Sequence, residues 1–273
     1  PRPDVLLGFM AEMELGRLAG RIAQRLGGEV PMEAVPSKTE NPGKTEYECI
    51  QTLEKLELWI DLARSVGIVA VDTETTSLDA MAAKLVGVSL SVKLGQACYI
   101  PLGHTGPLPA GELDLEGVPD APDQIPLDKA LDLLSPLFED LSVLKVGQNL
   151  KYDMSVLRRY GIDLMPIDDT MLLSYVTEGG MHGHGMDELS KLHLDIEPIP
   201  FKKVAGSGKS QITFDRVPLD KATEYAAEDA DLTLRLYHYL KPRLLEERKN
   251  SVYEFLERPL VPVLVEMEQA GIL

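Results

Sequence analysis

VAVDTETTSLD, residues 69 to 79, runs apolar through Val71 and then sets Asp72 and Glu74 two apart, with Asp79 close behind. The apolar, β-branched opening reads as a buried strand. On a strand, residues i and i+2 point to the same side, so Asp72 and Glu74 face one direction a few ångströms apart. Their charges repel there unless a cation sits between them. Taken alone, the pair also fits the solvated end of a strand in a turn rich in Thr and Ser.

Around this stretch the signal is α/β. A short strand is expected over 47 to 50, a helix over 52 to 65 and a strand over 67 to 73. LVGVSLSV and QACYIPL flank Gly95 as a hairpin. Residues 102 to 126, dense in Pro and Gly, read as a surface excursion. A helix is expected from Leu127, a strand in SVLKVGQ, and a helix in LKYDMSVLRRYGI ending at Gly161. Further helices are expected near 169 to 177, capped by Asp168 or Asp169, and over 186 to 193 and 219 to 248, with FKKVAGSGKSQ as an intervening loop. At the start, Leu6, Phe9, Met10, Met13, Leu18, Ile22 and Leu26 fall at the spacing of one amphipathic helix over 5 to 26. Residues 27 to 46, rich in Pro, Glu, Lys and Thr, read as a linker.

The 273 residues are 44% hydrophobic, enough to bury a core. Cys49 and Cys98 are too few for a disulfide framework and lack metal-ligand spacing, which favours a reducing compartment. No apolar run approaches the ~20 residues of a membrane span, and PRPDVLLGF is unlike a signal peptide, so a cytoplasmic protein without membrane contact is expected. The missing initiator Met and the ending MEQAGIL point to a piece of a longer polypeptide. A net charge of −17 argues against nucleic acid only if no metal is involved, because carboxylates gathered around divalent cations invert the local charge.

Two further segments carry acids at telling spacings. In VGQNLKYD, Asn149 and Asp153 stand at i and i+4, on one helical face, with Gln148 at the strand-to-helix junction. In EYAAEDAD, Tyr225 and Asp229 also stand at i and i+4, while Asp231 points elsewhere and reads as a solvated helix residue. Singly, each segment fits ordinary helix-surface polarity. Together they make three carboxylate-bearing segments and one Tyr, each at the spacing its element requires.

DTETTSL, GQNLKYD and YAAEDADLT resemble the three exonuclease motifs of the DEDD superfamily in its tyrosine-containing branch. Their order and elements resemble the proofreading 3'-5' exonuclease domain of the bacterial DNA polymerase I family (family A) over about residues 47 to 248. PDVLLGFMAEMELGRL resembles the end of a 5' nuclease domain, and PLVPVLVEMEQAGIL the entry to a polymerase domain. The resemblance thus divides the chain into a helical remnant at 1–26, a linker at 27–46, the exonuclease domain at 47–248 and the start of a polymerase domain at 249–273.

The resemblance implies a ribonuclease H-like α/β fold, a mixed sheet of about five strands flanked by helices. It implies metal-dependent removal of nucleotides from a single-stranded or frayed 3' end of DNA, with the polymerase domain of the same parent chain as partner. Two divalent cations, Mg²⁺ or Mn²⁺, are implied, with Zn²⁺ an alternative in the tighter site. Asp72 is implied to bridge both, Glu74 and Asp229 to complete the tighter site, and Asp153 to support the second through water. Tyr225 is implied to orient the attacking water together with Glu74. Leu78 falls where the family wedges the terminal bases apart, although a core leucine fits as well, and Phe201 falls at its stacking partner. Gln148 and Asn149 are candidates for the terminal nucleotide, Asn149 equally for a helix cap, and Lys202, Lys203 and Lys209 for phosphates.

A ribonuclease resembling ribonuclease D, which carries similar carboxylates and the same tyrosine, is the alternative, as is an inert scaffold domain. GSGKS at 206 to 210 resembles a phosphate-binding loop but has Lys203 where that pattern needs Gly, so no nucleotide triphosphate site is expected. His182 and His184 lie close together in MHGHGM, yet the sequence offers no clear third ligand, and no zinc site is expected there.

Overall fold

The computed structural model describes residues 2–12, 16–26, 45–106 and 121–271. Most of the expected linker, residues 27–44, and the middle of the Pro- and Gly-rich excursion, residues 107–120, lie outside them. The helix expected over 5 to 26 is instead two helices, α1 (Pro3–Glu12) and α2 (Gly16–Leu26), packed through Leu7, Met10 and Ala23; Met13 lies outside the described residues. A single straight helix would leave that apolar stripe in water.

Six strands follow: β1 (Glu46–Cys49), β2 (Ile68–Thr75), β3 (Leu85–Lys93), β4 (Gln96–Pro101), β5 (Leu144–Gly147) and β6 (Ile167–Asp169). Their order in the sheet is β1-β4-β3-β2-β5-β6, with β2, β3 and β4 antiparallel and the pairs β1/β4, β2/β5 and β5/β6 parallel. The three-residue β6 is the strand beyond the expected five; IDD carries too little apolar pattern to announce itself. Helix α3 (Leu53–Val66) enters β2 through Gly67, whose φ of 78° forms the left-handed cap, with its N–H on the Ala63 carbonyl at 2.9 Å. The hairpin of β3 and β4 turns at Gly95, φ 81°.

One sheet face packs against α3, α4 (Leu127–Phe138) and α5 (Leu150–Arg158), with Val69 and Val71 of β2 in the same core as Leu56, Leu134 and Met154. On the other side α6 (Thr170–Glu178) and α9 (Leu219–Glu246) meet the sheet, Val146 packing with Leu173, Leu236 and Leu240, and Val86 with Ala222 and Ala226. Asp169 caps α6, accepting from the Met171 and Leu172 amides at 2.9 and 3.3 Å. Between α6 and α9 lie α7 (Met186–Leu189), a π-helical turn at Ser190–Leu194 and the short α8 (Phe201–Ala205). After α9 come α10 (Asn250–Val252), a second π-helical turn and α11 (Arg258–Gln269), which brings Val261 and Val265 into the α5 side of the core. No helix among the described residues is long and apolar enough to cross a membrane.

Candidate active site

Strand β2 supplies the first two acids. Val71 and Thr73 point to the α5 side, and the alternation sends Asp72 and Glu74 to the α9 side. Asp72 pairs in register with Ser89 and Glu74 with Gly87, and the register shifts between Glu74 and Thr75. Such a shift ends regular pairing and leads the chain outward to Leu78. Helix α9 presents Tyr225 and Asp229 one turn apart toward the same place, and the Tyr225 hydroxyl donates to Asp229. The carboxylate oxygens of Asp72, Glu74 and Asp229 reach within 4.8 Å of one another.

Asp153 arrives from α5 on the opposite face. Its Oδ1 accepts from the Thr73 backbone amide at 3.0 Å and the Thr73 hydroxyl at 2.5 Å, which ties it to the strand between the other two acids. All four carboxyl groups sit where charge is disfavoured. Burial pushes Asp72 up to about 6. Burial, and then the charges of Asp72, Asp229 and Asp153, hold Glu74 well above the usual carboxylate range. Asp153 and Asp229 are raised by burial and by Asp72. Among the described residues no Lys or Arg pairs with any of the four, and Glu74 Oε1 is buried without a hydrogen-bond partner. An all-oxygen cluster with an orphaned carboxylate oxygen and no basic neighbour fits hard divalent cations.

Asp72, Glu74 and Asp229 line a cleft of about 610 Å³ together with Leu78, Tyr152, Met186, Phe201, Phe214 and Tyr225, while Asp153 stands behind it, against Thr73. Leu78 is 96% exposed, so the reading of it as a core leucine does not hold. Phe201 stacks on Phe214 at 6.3 Å and meets Tyr225 edge-on at 6.0 Å. Phe214 escaped the sequence reading because it sits in a one-turn 3-10 helix, Phe214–Arg216, with no periodicity to mark it. Alternation along β2 sends Thr73 to the α5 side, but its contact with Asp153 spans eighty positions and carries no local signal.

Four expectations change. Asn149 does not share a helical face with Asp153; it precedes α5 in the left-handed conformation, φ 61°, and makes no side-chain cap. Gln148 has both amide ends committed, accepting from Thr170 Oγ1 at 2.5 Å and donating to the His184 carbonyl at 2.8 Å, and neither residue lines the cleft. Asp231 is not solvated. It is 1% exposed, pairs with Arg235 at 2.9 Å and accepts from Tyr47 and the Gly95 amide, fastening β1 and the hairpin turn to α9. His182, for which no third ligand was evident, lies beside Glu178 and His193. Lys202 and Lys203 are exposed on α8, and the Lys209 side chain lies outside the described residues. GSGKS forms a 3-10 turn at Gly208–Ser210 preceded by α8 rather than a strand, which excludes the phosphate-loop arrangement.

The 3'-5' exonuclease family model matches residues 47–245. DNA polymerase I of Rhizobium leguminosarum is 54% identical over 235 residues, 83% of this chain and 23% of that protein. DNA polymerase I of Pseudomonas aeruginosa is 37% identical over 286 residues, 100% of this chain and 29% of that protein. The chain therefore spans about a quarter of the length of these relatives. Among solved structures, Brucella melitensis NrnC bound to pGG shares the fold with a TM-score of 0.60 at 24% identity, over 84% of this chain and 95% of that one. The match runs through β2, α5 and α9, the elements that hold the four acids, and the chain belongs to the 3'-5' exonuclease family carried by bacterial DNA polymerase I.

Proposed function

We propose that the cleft removes nucleoside monophosphates from the 3' end of DNA, as the proofreading part of a longer cytoplasmic DNA polymerase whose polymerase domain begins near residue 249. The segmentation into 1–26, 27–46, 47–248 and 249–273 belongs to the same reading. The observation that carries it is the convergence of Asp72, Glu74 and Asp229 within 4.8 Å. Like charges crowded in a buried site without a basic partner favour cation binding over any purely structural role.

Asp72 would contact two cations, Glu74 and Asp229 would complete the tighter site, and Asp153 would support the other through water. Two divalent cations, Mg²⁺ or Mn²⁺ with Zn²⁺ an alternative in the tighter site, would supply the charge that activates a water and stabilises the leaving 3' oxygen. Burial, followed by the charges of Asp229, Glu74 and Asp72, raises Tyr225, so its phenol stays neutral and orients the water with Glu74 by hydrogen bonding alone. Thr73 holds Asp153 in place from the strand. Leu78, exposed at the cleft mouth, would separate the terminal bases, and Phe201 backed by Phe214 would offer a face on which any base stacks. Gln148 and Asn149 contribute through the turn that aims α5.

The test is digestion of 5'-labelled single-stranded DNA beside RNA of the same sequence, with Mg²⁺ or chelator, using Asp229→Ala as control. A metal-dependent ladder shortening from the 3' end of DNA, absent in the control, is the expected result. Preference for RNA would transfer the assignment to a ribonuclease of the ribonuclease D type. Failure of well-folded protein to cut either strand would mark an inert scaffold.

A further inference from the structure

Away from the cleft, Glu178 closes α6 beside two histidines. Nε2 of His182 and Nε2 of His193 each lie 2.9 Å from Glu178 Oε2. The donor atoms of the three side chains fall within 4.8 Å of one another. Glu178 and His193 are 6% and 5% exposed, and His193 stacks on the Tyr239 ring at 4.6 Å, which holds its plane. His182 keeps a partly exposed edge.

The other nitrogen of His182 constrains the cluster. Its Nδ1 lies 2.6 Å from the Gly183 carbonyl, a contact that requires the proton on Nδ1. Neutral His182 therefore turns an Nε2 lone pair toward a carboxylate oxygen. Only a second proton or a cation relieves that contact. An Nδ1–H bonded to a backbone carbonyl is also how metal-binding imidazoles are oriented. The carboxylate is positioned as a ligand, with Arg243 paired to its other oxygen. Arg243 contacts Oε1 and is itself balanced by Glu247 at 2.8 Å, which leaves Oε2 on the histidine side.

We propose that Glu178, His182 and His193 form a site for a divalent cation of the zinc type, with solvent in the fourth position at the exposed edge of His182. Two imidazoles and one carboxylate suit such a borderline cation, unlike the all-oxygen cluster in the cleft. Bonds of about 2.0–2.2 Å set tetrahedral ligands about 3.3 Å apart, so the donor atoms need move only on the order of 1 Å. The cation would clip the segment 179–185 to α6 and to the turn at Ser190–Leu194. That segment leads into Met186, which lines the cleft, and its His184 carbonyl accepts from Gln148 at 2.8 Å, so the clip would steady one wall of the cleft.

The test uses the full chain as an Asp72→Ala/Asp229→Ala double variant, in which the cleft carboxylates no longer compete. After chelation it is titrated with Zn²⁺ and with Co²⁺, reading bound metal per chain, visible Co²⁺ absorption and Tm. One ion per chain, the absorption of a tetrahedral nitrogen-containing site and a raised Tm are expected, and adding His182→Ala removes all three. Glu178→Gln should do the same but also loses its Arg243 pair. Should that variant unfold, His182→Ala at its partly exposed side chain decides the matter. Folded double variant that retains no ion, or retention unchanged by His182→Ala, overturns the proposal.

Discussion

Thr73 and Asp153, eighty positions apart, are joined by two hydrogen bonds to one oxygen: the Thr73 amide and hydroxyl donate to Asp153 Oδ1 at 3.0 and 2.5 Å. The residue between the two strand acids thereby fixes the acid that comes from the other face of the sheet. Removing the hydroxyl with Thr73→Val leaves one donor to a buried carboxylate. It should cost about 1–2 kcal/mol of stability. Cleavage should fall about 10- to 100-fold, with a higher Mg²⁺ concentration needed for half-maximal rate. A metal titration of the initial rate checks this, and an unchanged Mg²⁺ dependence would count against the holding role.

Asp72→Asn should abolish cleavage yet stabilise the metal-free fold. Burial raises Asp72 from 3.8 to about 6, so its contribution to stability is fully present below 3.8 and is lost as pH rises through about 6. At neutral pH the metal-free chain carries that penalty. The neutral amide should recover about 1–2 kcal/mol, read as a higher Tm in chelator at pH 7.5 and no gain at pH 3.5. The same comparison with excess Mg²⁺ should reverse the order, since the wild type then gains bound metal.

Leu78→Ala should leave stability within about 0.5 kcal/mol, because a side chain 96% exposed contributes almost no burial. Its effect belongs to substrate: KM for a frayed duplex end should rise several-fold, while KM for single-stranded DNA changes less. Equal changes for both substrates would argue against base separation at Leu78.

His104 should give the fold a separate acid sensitivity. It is 2% exposed, its Nε2 lies 2.7 Å from the Tyr99 hydroxyl, and burial lowers it from 6.5 to about 4. The unfolded chain therefore binds a proton that the folded chain refuses between those values, so stability falls as pH drops from 6.5 toward 4. The loss amounts to about 3 kcal/mol across the window. Raised carboxylates in the cleft push the other way, so the comparison must be with His104→Asn. Urea unfolding at pH 7 and pH 4.5 should show a smaller loss in the variant than in the wild type.

Most of the element order and the three acidic segments were legible because they rest on local rules, while β6, the break between α1 and α2, and α8 within the expected loop were not. Alternation along β2 puts Asp72 with Glu74, and one helical turn on α9 puts Tyr225 with Asp229, whatever the rest of the chain does. The cap at Asp169 was legible for the same reason, as one of two candidates with Asp168, whereas Gly67 was expected in the strand and instead caps α3. Local spacing misled where a side chain's fate is set by what packs over it. Asp231 has the spacing of a solvated helix position but is covered by β1 and the hairpin turn, which bring Tyr47 and the Gly95 amide to its charge. Gln148 looked free at a strand end until α6 and the segment after it closed over both ends of its amide. The meeting of Glu178 with His182 and His193 likewise depends on a π-helical turn folding back against α6. Short-range geometry is fixed by the chain's own covalent periodicity, so residue order alone determines which acids share a face. Which of them stay open to a substrate and which are consumed by partners depends on contacts between distant segments, and only the packed tertiary structure decides that.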